Sequence, residues 1–210
     1  MKKKLLSLVL AGAMVASTSV SAFADDTVTT DGGQTNVTIK GAVDNDSGDS
    51  PAGTINVSVP TALNFKVDKN GTVTGGDIKI TNNGVDTVDI TAIKFYDTTP
   101  TSGITVKTPD ELSSPDAQDR SNVVLNIGGT NGKRAFFKSE SAGSSENGIY
   151  DETGSNETNG IKVATINGSG ASDTLTLNGY AGTTELGSEA GENGVTDEFR
   201  LTLKISKASN

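Results

Sequence analysis

The residues best placed to do chemistry are oxygen donors. The stretch "DNDSGD" sets Asp44, Asp46 and Asp49 in one short glycine-bearing segment, and "DKNG" places Asp68 and Asn70 just ahead of Gly71. Carboxylate and amide oxygens gathered in turns are what a hard cation takes, so calcium is the one cofactor these positions would hold. Neither cluster has the EF-hand spacing. Asp44 and Asp46 fit its first and third positions, but Gly48 falls at the fifth, where an oxygen donor belongs. A solvated acidic turn is the plainer reading of both, and it leaves the chain without a cofactor.

Other chemistry is narrowed by what the chain lacks. It has no histidine and no cysteine, which removes the commonest general base, the thiol nucleophile and the usual zinc ligands. A Ser-x-x-Lys pair would need a helix to bring both groups to one face, and helical periodicity is absent from the sequence after the leader. Carboxylate pairs remain, but 26 acidic residues in 210 meet by chance. The expectation is a protein that is not an enzyme. Sugar-stacking platforms are poorly supplied too: there is no tryptophan, and Tyr96, Tyr150 and Tyr180 are scattered. Phe136-Phe137 is the one adjacent aromatic pair, and as strand neighbours they point one ring to the core and one to the surface.

The charge balance, 17 basic against 26 acidic residues for a net −9, repels phosphate backbones, so nucleic acid is not an expected partner. The opening "MKKKLLSLVLAGAMVASTSVSAFADD" reads as a signal peptide over residues 1–24. Lys2, Lys3 and Lys4 form the positive end, Leu5 to Val15 the apolar run, and Ala22-Phe23-Ala24 the small-residue cleavage site. That run is too short to cross ~30 Å of hydrocarbon, so no membrane span is expected. No cysteine follows it to carry a lipid, and the closing "DEFRLTLKISKASN" contains no LPxTG-type sorting sequence. A secreted chain, extracellular or associated with the cell surface, follows as the expectation. Export without disulfides leans toward a Gram-positive source.

Whatever the donors do, strands must position them. Apolar and polar residues alternate at period two through most of the sequence. Phe199, Leu201, Leu203 and Ile205 give the cleanest case, and Ile55–Val59, Leu63–Val67, Val123–Ile127 and Val37–Ile39 follow the pattern. Shorter candidates are Ile78–Ile80, Ile104–Val106, Arg134–Phe137, Ile161–Ile166 and Leu175–Leu177. Val88 and Ile90 set one phase, Ile93 and Phe95 the other, and such a slip at Ala92 predicts a β-bulge. Asn-Gly occurs eight times, and it suits the positive φ of tight turns. Hairpins are expected at Asn70, Asn83 and Asn131. The fold class that results is all-β: an antiparallel β-sandwich, Ig-like or jelly-roll, with a barrel as the alternative. It forms a single domain over residues 25–210, in which 25–53 supplies a mobile N-terminal strand. Two polar, acidic excursions, 138–160 and 182–198, are expected to be mobile loops.

The segment "INVSVPTALNFKVDKNGTVTGGDIKITNNGVDTVDITAIKF", Ile55 to Phe95, resembles small secreted Firmicutes surface proteins of the WxL type and the start of matrix-fibre proteins of the TasA/camelysin type. The likeness rests on the alternating strand that enters "VPTALNF", on "DIKITNNG" and on "VDITAIKF", and it covers about a fifth of the chain. It implies a structural or adhesive protein with no catalytic residues. The second family implies a jelly-roll that assembles by lending a terminal strand. The WxL tryptophan motif is absent, so wall binding by that route is not implied. The expected function is a secreted, non-catalytic cell-surface or extracellular-matrix structural protein, a fibre subunit assembling by β-strand addition. The alternative is a binding or adhesion module that takes cell-wall polymer or a host ligand through the acidic loops. The corresponding partners are a second copy of the chain or a cell-surface polymer.

Overall fold

A computed structural model describes residues 25–28, 34–38, 55–68, 70–100, 103–184 and 195–208. The fold is almost entirely β, with antiparallel sheets that curl into a half-barrel. In chain order the strands are β1 (Asp25–Val28), β2 (Gln34–Thr38), β3 (Val57–Pro60), β4 (Phe65–Val67), β5 (Val73–Gly75), β6 (Asp77–Asn82), β7 (Val88–Asp97), β8 (Thr105–Val106), β9 (Asn122–Gly128), β10 (Ala135–Phe137), β11 (Ile149–Tyr150), β12 (Ile161–Ile166), β13 (Ala171–Ala181) and β14 (Phe199–Lys207). One sheet runs β1-β3-β6-β13-β9-β10-β11, with β8 joined in parallel to β9. The other runs β12-β7-β14-β2, and β4 and β5 form a separate hairpin.

Period-two patterning explains how the two sheets meet. Phe199, Leu201, Leu203 and Ile205 of β14, Val88, Ile90 and Ala92 of β7, and Leu125, Ile127, Leu175 and Leu177 of the larger sheet all bury their side chains in one cluster. Four rings run through it. Phe137 stacks on Phe95 at 4.5 Å between centroids, Phe95 on Phe199 at 5.4 Å, and Phe199 meets Phe65 at 6.3 Å. This row joins the larger sheet, the smaller sheet and the β4–β5 hairpin, and large rings bury the most apolar area per residue in a core that is otherwise lean.

The phase slip expected at Ala92 is present as a bulge one residue later. β14 pairs Thr202 with Lys94 and then Leu203 with Ala92, so Ile93 has no partner. Phe95 resumes the inward phase, but Ile93 does not share it and is only partly buried. A second bulge faces the same stretch from the other side: β12 pairs Lys162 with Thr91, then Ala164 with Ile90, leaving Val163 over. Bulges bend the strand that carries them and sharpen its twist, and two on opposite flanks of β7 curl this sheet.

The Asn-Gly pairs divide by environment. Asn70-Gly71 turns the β4–β5 hairpin as expected: Gly71 has φ +78° and donates to the Asp68 carbonyl at 3.1 Å. Asn131-Gly132 lies in the β9–β10 connection, also a hairpin. Asn83-Gly84 does not make one. It carries the chain from β6 in one sheet to β7 in the other. Asn178-Gly179 is no turn either, since it lies inside β13 opposite Asn126 and Leu125. The Gly179 backbone approaches β9 so closely that a Cβ there would stand 2.0 Å from the Val124 carbonyl oxygen.

Three further expectations are corrected. The excursion 138–160 contains β11 and fastens to the edge of β7 beyond β12, where Phe95 donates to the Asn147 carbonyl at 2.7 Å and Asp97 to that of Glu140 at 2.9 Å. Helix does occur, as the single turn α1 (Pro109–Leu112), closed by a capping box between Thr108 and Glu111, with a 3-10 turn at Pro115–Ala117 beyond it. Of the Phe136-Phe137 pair, one ring was expected at the surface; Phe137 takes the core, and Phe136 is instead half-buried against Leu112, Ala117 and Val124, a small second cluster on the outer face of the larger sheet.

Candidate functional site

Of the five residues proposed for calcium, Asp44, Asp46 and Asp49 lie outside the described residues. Asp68 and Asn70 are placed, and their geometry is that of a turn. Asp68 Oδ1 accepts from the Thr72 and Asn70 amides, each at 2.8 Å, and these two bonds hold its carboxyl below the usual carboxylate range. Asn70 is exposed. Its amide caps the Asp68 side chain, so the pair closes the β4–β5 hairpin from within. Among the described residues no three acidic side chains stand close enough to hold a metal ion.

A concave feature lies elsewhere, at the end of β7. An open cleft of about 370 Å³ is lined by Asp97, Ile104, Thr105, Ser139 and Glu140, among others. Asp97 is buried, because the alternation that sends Phe95 inward sends the residue two further on the same way. Its Oδ1 accepts from the Thr99 amide at 2.7 Å. Burial raises its pKa, and the neighbouring Asp197 adds to the rise against that hydrogen bond. Asp197 is itself held by the Thr99 hydroxyl at 2.7 Å and by the Glu198 amide at 2.7 Å.

A second carboxyl pair borders the first. Glu140 accepts from the Ser144 hydroxyl at 3.0 Å, yet burial and the adjacent Glu146 push its pKa up. The Tyr150 hydroxyl donates to Glu146 at 2.7 Å and holds that carboxyl down, while burial and Glu146 push the phenol well above its usual range. Lys138 reaches past this group to Glu111 at 2.8 Å, with its ammonium 5.8 Å from the Tyr150 ring centre.

Family models, curated proteins and solved structures yield no match to this chain. The reading of the cleft therefore rests on its own geometry. It gathers carboxyl groups that can share protons and attract cationic groups. Sequence reasoning singled out neither Asp97 and Asp197 nor Glu140 and Glu146. The usable signal was Asp97 in the inward phase of a strong strand, an acid where an apolar residue was due.

Proposed function

We propose that the chain is a secreted, non-catalytic structural protein of the cell surface or extracellular matrix, a β-sandwich subunit that assembles by strand addition. The observation that carries this reading is the position of the N-terminal strands. Among the described residues β1 is the outermost strand of the larger sheet and pairs only with β3, while β2 is the outermost strand of the smaller sheet and pairs only with β14. Each leaves its sheet by giving up one ladder, and the vacated edge accepts an equivalent strand from a second copy. Repetition of that exchange runs head to tail and produces an open filament. The sequence likeness of residues 55–95 to the TasA/camelysin type supports the same reading and favours a jelly-roll over an Ig-like connection.

The test compares the chain from residue 25 with one that begins at residue 44. Size exclusion and negative-stain microscopy should give filaments for the first and none for the second. A strict monomer at every concentration points instead to the adhesion reading, which the carboxyl-lined cleft at Asp97 supports by offering acidic groups to a cationic polymer. Calcium is tested alongside. If the donors at Asp44, Asp46 and Asp49 hold it, millimolar calcium raises the melting temperature and equal magnesium does not. An equal response to both ions means charge screening alone.

A further inference from the structure

Eight Asn-Gly pairs in one chain are a chemical hazard as well as a turn signal. The glycine amide nitrogen can close on the preceding side-chain carbonyl, and the fold decides which pairs are free to do so. At Asn70, Asn83 and Asn159 the attacking nitrogen is engaged: Gly71 donates to Asp68, Gly84 to Asn56 at 3.1 Å and Gly160 to Glu157 at 2.7 Å. At Asn147 the side chain is tied, donating to the Glu157 carbonyl at 2.7 Å and accepting from the Ile149 amide at 3.1 Å. Asn167 accepts from the Thr87 hydroxyl and, through its carbonyl, from Asn82. Asn178 is locked in the β13–β9 ladder. Asn131 differs. It and Gly132 are both exposed, and among the described residues neither the Asn131 side chain nor the Gly132 amide has a hydrogen-bond partner.

We infer that Asn131 is a site of spontaneous covalent modification whose product unlatches the β9–β10 turn from β12. The Gly132 nitrogen bonds to Asn131 Cγ and the Cγ–Nδ2 bond breaks. The amide proton leaves with the departing nitrogen as ammonia, giving a succinimide. Water then opens the ring at either carbonyl, to aspartate or to isoaspartate, and the second product routes the main chain through Cβ and Cγ, one methylene longer.

The turn has no room for that methylene. It sits on the Val163 bulge, where a Cβ on Gly132 would stand 2.1 Å from the Val163 carbonyl carbon and oxygen. Two bonds hold it there, Gly129 N–H to the Val163 carbonyl and Lys133 N–H to that of Lys162, both at 2.9 Å. These bonds cover the outer edge of β12, so a lengthened turn that lifts away uncovers the edge of the smaller sheet.

The experiment incubates the folded full chain in mildly alkaline buffer and maps peptides by a fragmentation method that separates aspartyl from isoaspartyl products. Asn131 should convert at least about tenfold faster than Asn147 and Asn178, which react only through local opening. In urea the difference should vanish. Conversion in the folded chain led by Asn167, or no faster at Asn131 than at Asn178, overturns the assignment. The isoaspartyl form, isolated by anion exchange, should exchange the Gly129 and Lys133 amides about tenfold faster than the parent. Unchanged protection overturns the unlatching. Asn131→Gln, which would close a less favourable ring, should keep the parent's protection at Gly129 and Lys133 through the same incubation; amides that lose protection all the same overturn the choice of residue.

Discussion

Gly179 shows what a single side chain decides here. β9 and β13 come together at a point where only hydrogen fits, the Val124 carbonyl being 2.0 Å from any added Cβ. Gly179→Ala should therefore cost about 1–3 kcal/mol by forcing the two strands apart, read as a lower urea midpoint with an unchanged slope. In the sequence this glycine carried the mark of a turn, because Asn-Gly is the strongest short-range turn signal. A strand glycine that admits a neighbouring backbone looks the same when the neighbour is unknown. Asp97 and Asn82 were more open to inspection. Each stands two residues after an apolar strand residue, Phe95 and Ile80, and each is buried. Alternation thus located both, and what it left out was the partner: Asp197 lies a hundred residues from Asp97 along the chain.

At the scale of elements, strand existence was legible and strand pairing was not. The apolar alternation that marks β14 requires a buried face without naming the strands beside it. Asn83-Gly84 makes the point. Its surroundings, a strand on either side, match those of a hairpin, but β6 and β7 belong to different sheets. What fixes the crossing is Asn82. Its Nδ2 donates to the Asp86 carbonyl at 2.7 Å and to the carbonyls of Ile166 and Asn167 at 3.2 Å, and its Oδ1 accepts from the Gly84 amide at 3.1 Å. One buried amide thereby clamps the β6–β7 crossing to the β12–β13 crossing. Asn82→Ala should lose about 2–4 kcal/mol, since it leaves several main-chain groups unpaired and a small cavity besides. Amide exchange at Gly84 should accelerate in the same variant. The one-turn helix α1 was also readable in principle, because Thr108-Pro109-Asp110-Glu111 has the capping-box spacing with proline at the first helical position. Strand patterning on both sides masked it.

For the molecule as a whole, two sets of carboxyl groups respond to acid in opposite ways. Glu111 is drawn below its usual pKa because Lys138 and the Thr108 amide outweigh its burial, and main-chain or hydroxyl donors hold Asp68 and Asp151 low. These groups stabilise the fold above the ordinary carboxylate pKa, and that contribution is lost as pH falls through their folded values. Asp97 and Glu140 are raised. Their folded forms bind protons more readily than the unfolded chain does, so their contribution is present in acid and is lost as pH rises through their folded values. At neutral pH each is a cost. Asp97→Asn keeps an acceptor for the Thr99 amide and removes the charge beside Asp197. It should raise the urea midpoint at pH 7 and confer no advantage near pH 3, below the ordinary carboxylate value of ~4. An advantage of equal size at both pH values would mean that the side chain's charge is irrelevant to the difference.

The place of β14 carries a consequence for how the chain reaches this state. It lies between β7 and β2, pairing with residues 88–97 on one side and 34–38 on the other. Until residues 199–207 have been synthesised, β2 has no neighbour in its sheet and β7 lacks the partner along most of its length. Such remote pairing makes the search slow. The smaller sheet consequently stays open on the nascent polypeptide until the last strand has been made, and its closure is a late event even where the larger sheet has already paired.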